Sequence, residues 1–411
     1  MGTTRSTEQL EAVAHVLRRT SFGPYPGQVQ DALDRHGSAT GVVAAQLAAA
    51  PLPFVGPTKI DEPFDLHDKG TDPLSLMEGW IGRMRHPDAG LHEKMTWFWH
   101  THFTTGLTKA TSLYGWRQLR LLHSHALGNF RDLAKAITVD AAMLQWLDGA
   151  GSLAHAPNEN YARELMELFT MGRGNYSESD VRAGARALAG WFVGLDERAA
   201  YRVPGTELTE PVTFLGVTAV HTPDSVVDRI LEQPATAPFV TRRIAGFFLG
   251  DTVEPAQLDA WAADFRSSDY EVRPLVAAIL QSDAFMGSRR ARGRTGIEWY
   301  CTVLECAQID RVDTAAVQGF AQVPYQPVNV AGWPDRWLTS SSLYARAAYL
   351  SSALVGDVDL GADRAGGAFE RCSIFDPSPA TAAAVGELAA TDADDRDVLR
   401  AALSSPEFAL S

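Results

Sequence analysis

The chain has 411 residues, enough for two or three domains or one large helical one. Apolar residues make up 45% and charged residues 21%, so a sizeable core is available and wholesale disorder is excluded. Fifty acidic against 36 basic residues leave a net charge of −14, which disfavours nucleic acid and anionic membranes as partners, and three cysteines without a CxxC pair exclude a disulfide scaffold and a thiolate zinc knuckle.

The first 19 residues lack the apolar core of a secretory signal, and no stretch approaches 18 consecutive apolar residues. The expectation is a cytoplasmic chain that spans no membrane. Only five of the 36 cations are lysine (59, 69, 94, 109 and 135), which with the abundant alanine suggests a high-GC bacterial genome.

Apolar residues recur at three- and four-residue steps through most of the sequence, the signature of amphipathic helices. The pattern predicts helices near 7–20, 40–50, 74–85, 91–103, 112–128, 129–147, 158–172 and 178–193. Further helices are predicted near 224–249, 255–267, 271–285, 297–308, 341–354, 379–390 and 394–404. The run Pro51–Pro73 is irregular, as is the stretch 194–223, where Tyr201-Arg-Val and Val212-Thr-Phe-Leu could pair as a short hairpin. The expected architecture is all-α: one large multi-helix domain over 1–411 with long loops. A site-bearing half, 1–193, is followed by the irregular insertion 194–223 and a helical half, 224–411.

Ten of the eleven histidines precede residue 156, and they include the pairs His100/His102 and His123/His125. On a helix over 91–103, apolar side chains cover most of the circumference, while Glu93, Thr96 and His100 share a narrow polar stripe. A helix apolar nearly all round is buried, so Glu93 and His100 should meet polar groups from another element. His102 lies opposite that stripe; the two histidines can approach one metal only if the helix ends near Thr101. Two core histidines bonded to backbone or carboxylates are the alternative.

In residues 154–176, Asn158 is a good N-cap, and Gly172 and Gly174 end the helix. Glu159, Asn160, Arg163, Glu164 and Glu167 share one face. They could form a solvated Glu159–Arg163–Glu167 ladder. They could equally turn Asn160, Glu164 and Glu167 toward the Glu93/His100 stripe and complete a polar pocket. Ser177-Glu-Ser-Asp180 then starts a helix as a capping box, with Arg182 and Arg186 one turn apart for nearby carboxylates or an anionic ligand.

These stretches resemble a bacterial family defined only as a domain of unknown function, number 1800. The matching segments include His15–Gly23, Lys94–Phe103, Gly128–Leu133, Ala142–Gly149 and Asn158–Thr170, continuing to Gly190-Trp191. Later come Thr213–Gly216, Pro234–Phe239 and Val328–Pro334. The resemblance implies no agreed activity. Many relatives look exported, a pattern from which this sequence departs by starting at its first helix; by analogy alone, a role in specialised biosynthesis is the expectation.

The most concrete chemistry is a metal-dependent enzyme, an oxidoreductase or hydrolase acting on a small molecule. His100, His102, Glu164 and Glu167 would hold one divalent Fe, Zn or Mn. Asn160, Arg182, Arg186 and Trp333 would bind the substrate. The second hypothesis is metal-free acid–base catalysis in which His100 is held by Glu93 or Glu164, with Arg163 or Arg182 binding an anionic group. The third is a non-enzymatic binding or assembly protein whose polar stripe fixes helix register. No strand–GxGxxG–helix unit or GxSxG is present, so nicotinamide, flavin and serine-hydrolase chemistry are not expected. No disulfide is expected either: Cys301, Cys306 and Cys372 read as buried, inert thiols.

Overall fold

The apolar periodicity folds as expected into helices. The computed structural model describes residues 5–54, 73–194, 200–250, 253–320, 322–333 and 338–411. It is 59% helical, with 22 α-helices and two small two-stranded sheets. Most of the predicted 51–73 run, and Arg336 and Trp337, lie outside the described residues. No helix among the described residues is long and apolar enough to cross a membrane.

Local chemistry sets the boundaries. Ser6 and Gln9 close a capping box on Thr7–Thr20, and Ser177 and Asp180 close the predicted one on Glu178–Leu188. The predicted helix 129–147 is two helices, Phe130–Thr138 and Ala141–Trp146. Between them Asp140 takes an extended backbone and accepts the Met143 N–H. The predicted helix 224–249 breaks into Pro223–Glu232 and Thr236–Leu249, because Pro234 lacks an N–H and drives Gln233 out of the helical region. Gln28–His36, Thr314–Gly319 and Arg364–Arg371 were not predicted; they are short, and Gln28–His36 and Arg364–Arg371 are mostly polar, with few apolar residues to mark them.

The expected hairpin exists, but with other partners. Trp191–Val193 (β1) pairs antiparallel with Ala200–Arg202 (β2), and Val212–Phe214 (β3) with Val217–Ala219 (β4). Tyr201 therefore faces Phe192 and Thr213 faces Thr218. Each strand pairs with the neighbour nearest in sequence, so two antiparallel pairs replace the one expected.

Residues 158–172 depart furthest from expectation. The α-helix Asn160–Glu164 widens into a π-helix, Leu165–Thr170. The N-cap is Glu159 rather than the expected Asn158, which precedes it and forms an Asx turn, its side-chain oxygen accepting the Asn160 N–H at 2.9 Å. Single-turn π segments inside helices are rare and frequent at functional sites.

Two apolar cores meet at the helix Leu91–His102. Leu91, Met95, Phe98, Trp99 and Phe103 enter the first, which gathers residues from Val13 to Phe285. Trp97 points into the second, with Trp80, Trp299 and Tyr300. The helix is apolar all round because it is packed all round.

Candidate functional site

The predicted polar stripe does meet other elements. Glu93 is buried; its carboxylate accepts from Trp80 Nε1 at 2.8 Å and from Arg83 Nη2 at 3.0 Å. Arg83 also donates to His123 Nε2 at 3.2 Å. That ring is driven down to about 3 by burial and by His92 and Arg83, so it is neutral at physiological pH.

His100 is wholly buried, and its Nε2 accepts the backbone N–H of Tyr325 at 3.1 Å. Trp80 and Tyr325 meet the ring edge-on, with Trp97 and Trp333 farther round. Tyr325, at φ 60°, accepts the Leu107 N–H at 3.1 Å and donates its hydroxyl to the Gly115 carbonyl at 3.0 Å. His100 thus pins the loop 322–333 across the end of its own helix. Gly332 follows from that close approach: it has φ +97°, and a Cβ there would come within 2.9 Å of Thr104 Oγ1.

His102 leaves the opposite side of the helix and donates Nε2–H to the Phe169 carbonyl at 2.9 Å, inside the π-helix. Burial pushes both His100 and His102 down to about 3. The four expected metal ligands are therefore not gathered. The helix stays regular through His102, so the two rings diverge, and each spends Nε2 on a backbone group. Glu167 pairs with Arg173 and accepts from Tyr176 Oη at 2.8 Å. Among the described residues, no three His, Cys, Asp or Glu side chains are placed to hold a metal ion.

The remaining predicted residues are also dispersed. Asn160 donates to the Leu147 carbonyl at 3.2 Å. Only the first half of the predicted ladder forms: Arg163 reaches Glu159 at 3.4 Å, then turns to Glu178 at 2.7 Å on the next helix rather than to Glu167. Arg182 is exposed. Arg186 donates to the Ala154 carbonyl at 3.2 Å and lies 3.8 Å from Glu210. The two arginines form no anion clamp. Trp333 is half-buried against His100 and Trp97, a sealing position.

Glu164 differs from these. It is half-buried at the α-to-π junction and accepts no hydrogen bond from any described residue. Burial first, and Glu167 second, raise its pKa above the ordinary carboxylate value.

The same packing builds a cleft that the sequence did not disclose. Gly106 lets Trp146 and Pro327 close in; a Cβ there would stand 2.7 Å from the Trp146 ring. Beside this contact, an open cleft of about 450 Å³ is lined by Lys109, Gln145, Asp148, Ser152 and Asn158, among others. Lys109 Nζ lies 2.7 and 2.9 Å from the Asp148 oxygens. Asp148 stands at φ 58°, which an acidic side chain tolerates and a β-branched one does not. Ser152 Oγ accepts the Asn158 N–H at 3.0 Å, and Gln145 Oε1 is buried without a partner. Beneath, Gln118 joins Thr105 to buried Asp140, whose carboxyl burial raises to about 6. Strand β1 braces the rim: Gly151 N–H donates to the Trp191 carbonyl, and Gly190 N–H to the Ser152 carbonyl.

Two of the family-like segments meet here, the stretch 142–149 and the start of 158–170, with Lys109 from the loop between Phe103 and Ser112. One signal in the sequence pointed this way, namely that Lys109 is a rare lysine in an arginine-rich chain. Its partners come from separate loops, which periodicity does not register.

Fold and cleft together define a large helical protein with a polar cleft where two of its distinctive segments meet. Residues 15–410 match the model of a family described as protein of unknown function, DUF1800, and the chain belongs to that family. No curated protein and no solved structure matches it.

Proposed function

We propose that the protein binds a small polar molecule in the Lys109–Asp148 cleft. The supporting observation is the convergence of two family-like segments, 142–149 and the start of 158–170, on one open cavity. It is within the size range of small-molecule sites and is edged by an accessible ion pair and amide and hydroxyl groups. Lys109 offers a cation to a carboxylate or phosphate, and Asp148 accepts from hydroxyl or ammonium groups.

The test is a thermal-shift screen of sugars, amino acids, organic acids and phosphates against the parent, Lys109→Ala and Asp148→Asn. Asparagine tolerates the left-handed backbone, so that variant removes the charge without straining the turn. The pair is about half exposed and contributes less than about 1 kcal/mol, so the unliganded variants should melt near the parent. A ligand that stabilises the parent and not the variants supports the reading. Equal stabilisation of all three overturns it.

Glu164 favours a second reading, acid–base catalysis at the α-to-π junction. A half-buried carboxylate that accepts no hydrogen bond from the described residues, with its pKa raised by burial, is suited to proton transfer. Glu164→Gln should fold normally and lose at least tenfold in turnover of any substrate found. Elemental analysis of untagged protein belongs with it: near-stoichiometric Fe, Zn or Mn in the parent, lost in Glu164→Gln and in His100→Ala, would establish the metal-dependent reading instead.

A further inference from the structure

The three cysteines are buried and reduced, and spacing draws the eye to Cys301 and Cys306 on one helix. The structure pairs Cys306 with Cys372 instead. Cys306 ends the helix Gly296–Cys306, and Cys372 caps the helix Arg364–Arg371. Cys306 Sγ–H donates to the Arg371 carbonyl at 3.1 Å, and Arg371 Nε donates back to the Cys306 carbonyl at 2.5 Å. These reciprocal bonds clamp the residue before Cys372 against Cys306, and burial together with the neighbouring Cys306 thiol raises the Cys372 thiol well above its ordinary range.

A second observation lies beside them. Arg294 is only 2% exposed, and its Nε and both Nη atoms find no hydrogen-bond partner among the described residues. Its guanidinium lies 4.7 Å over the Phe408 ring and within electrostatic reach of both sulfurs. A buried cation without a hydrogen-bonded anion is costly, so Arg294, with Arg371, favours a Cys372 thiolate against the burial that keeps this thiol protonated. Thiol–disulfide exchange proceeds through that thiolate.

We propose that Cys306 and Cys372 form a redox couple that closes to a disulfide by exchange with a small disulfide oxidant. One sulfur, as thiolate, attacks the oxidant and expels a thiolate, leaving a mixed disulfide on the protein. The other attacks that protein sulfur, forms the Cys306–Cys372 bond and expels the second half of the oxidant. The two thiols give up two protons and two electrons, and the oxidant leaves as two thiols. The bond would close a loop of roughly 65 residues, the kind of long loop for which cross-linking constrains the unfolded chain most. That loop carries Tyr325 and Trp333, so the staple would tether the segment that holds His100.

The test uses the full-length protein in glutathione buffers of rising oxidised fraction. It is run both on native protein and during refolding from denaturant, because native packing shields the sulfurs. After acid quenching, denaturation and alkylation, peptide mass spectrometry should show Cys306 and Cys372 joined while Cys301 stays alkylated. Cys301→Ser should close as the parent does, and Cys372→Ser should not close. The oxidised parent should melt several degrees above the reduced one. If all three cysteines stay alkylatable in both arms, or if Cys301 is captured in place of Cys372, the proposal falls.

Discussion

Between pH 6.5 and 4.5 the protein is expected to lose stability steeply, because four buried histidines must stay neutral for it to fold. His15, His100, His102 and His123 are each at most 7% exposed, and burial drives each down to about 3 from an ordinary value of 6.5. In that window the unfolded chain takes up protons that the folded chain refuses. Stability therefore falls as pH falls, by about 1.4 kcal/mol per histidine per pH unit. At pH 5 this amounts to roughly 2 kcal/mol each. Asp140 opposes the trend: its folded carboxyl titrates near 6 against 3.8, so the folded state binds that proton more readily and gains about 1 kcal/mol by pH 5. A net loss of about 7 kcal/mol is comparable to the whole stability of many domains, about 5–15 kcal/mol. Urea unfolding followed by tryptophan fluorescence from pH 8 to 4.5 would measure it, with Trp80 and Trp97 reporting beside His100. The midpoint should stay flat above pH 7 and drop sharply below 6. A flat profile down to pH 5 would show that these rings accept protons in the folded state.

The reason those histidines are structural lies in what sequence can and cannot display. A stripe of Glu93 and His100 on an otherwise apolar helix correctly announced buried polar groups in need of partners. It could not say that the partner of His100 is a backbone N–H 225 positions away, since an N–H has no residue identity. Helices were legible wherever apolar spacing was unbroken. Breaks were missed where one residue decided them, such as Asp140 choosing to cap or Pro234 lacking its N–H. The π-turn at Leu165–Thr170 was illegible, because Leu-Met-Glu-Leu-Phe-Thr carries the same apolar spacing in either helix. The cleft was hidden for a related reason: Lys109, Asp148 and Asn158 each sit in an ordinary loop, and tertiary packing alone brings them together. Glu164 and Glu167 looked equivalent on a helical wheel, yet Arg173 and Tyr176 neutralise one and leave the other free.

Lys94, the first residue of the family-like segment Lys94–Phe103, belongs to a buried charge network. Its ammonium is fully buried and donates to the Ser21 carbonyl at 2.8 Å and to Glu298 at 2.5 Å, beneath the Phe22 ring at 4.9 Å. Glu298 also accepts from Arg292 at 2.8 Å and from the Thr295 N–H at 2.9 Å, closing the capping box of Gly296–Cys306. Burial pulls Lys94 down to about 8. Burial alone would raise Glu298, but two adjacent cations hold it far below the ordinary carboxylate range. Both shifts point the same way because one carboxylate serves two cations: it stays ionised, while each cation is only partly compensated. Removing the carboxylate should therefore hurt more than removing either cation. Glu298→Gln leaves two buried positive charges facing each other and should cost about 3–5 kcal/mol. Lys94→Met leaves an Arg292–Glu298 pair and a chain of similar volume, and should cost about 2–3 kcal/mol. The double variant should cost less than the sum by at least about 1 kcal/mol, since the second change removes a charge that the first had stranded. Denaturant midpoints of the four proteins decide it. Strict additivity would mean that Arg292 alone neutralises Glu298, and that Lys94 is held by Ser21 and the aromatic rings without drawing on the carboxylate.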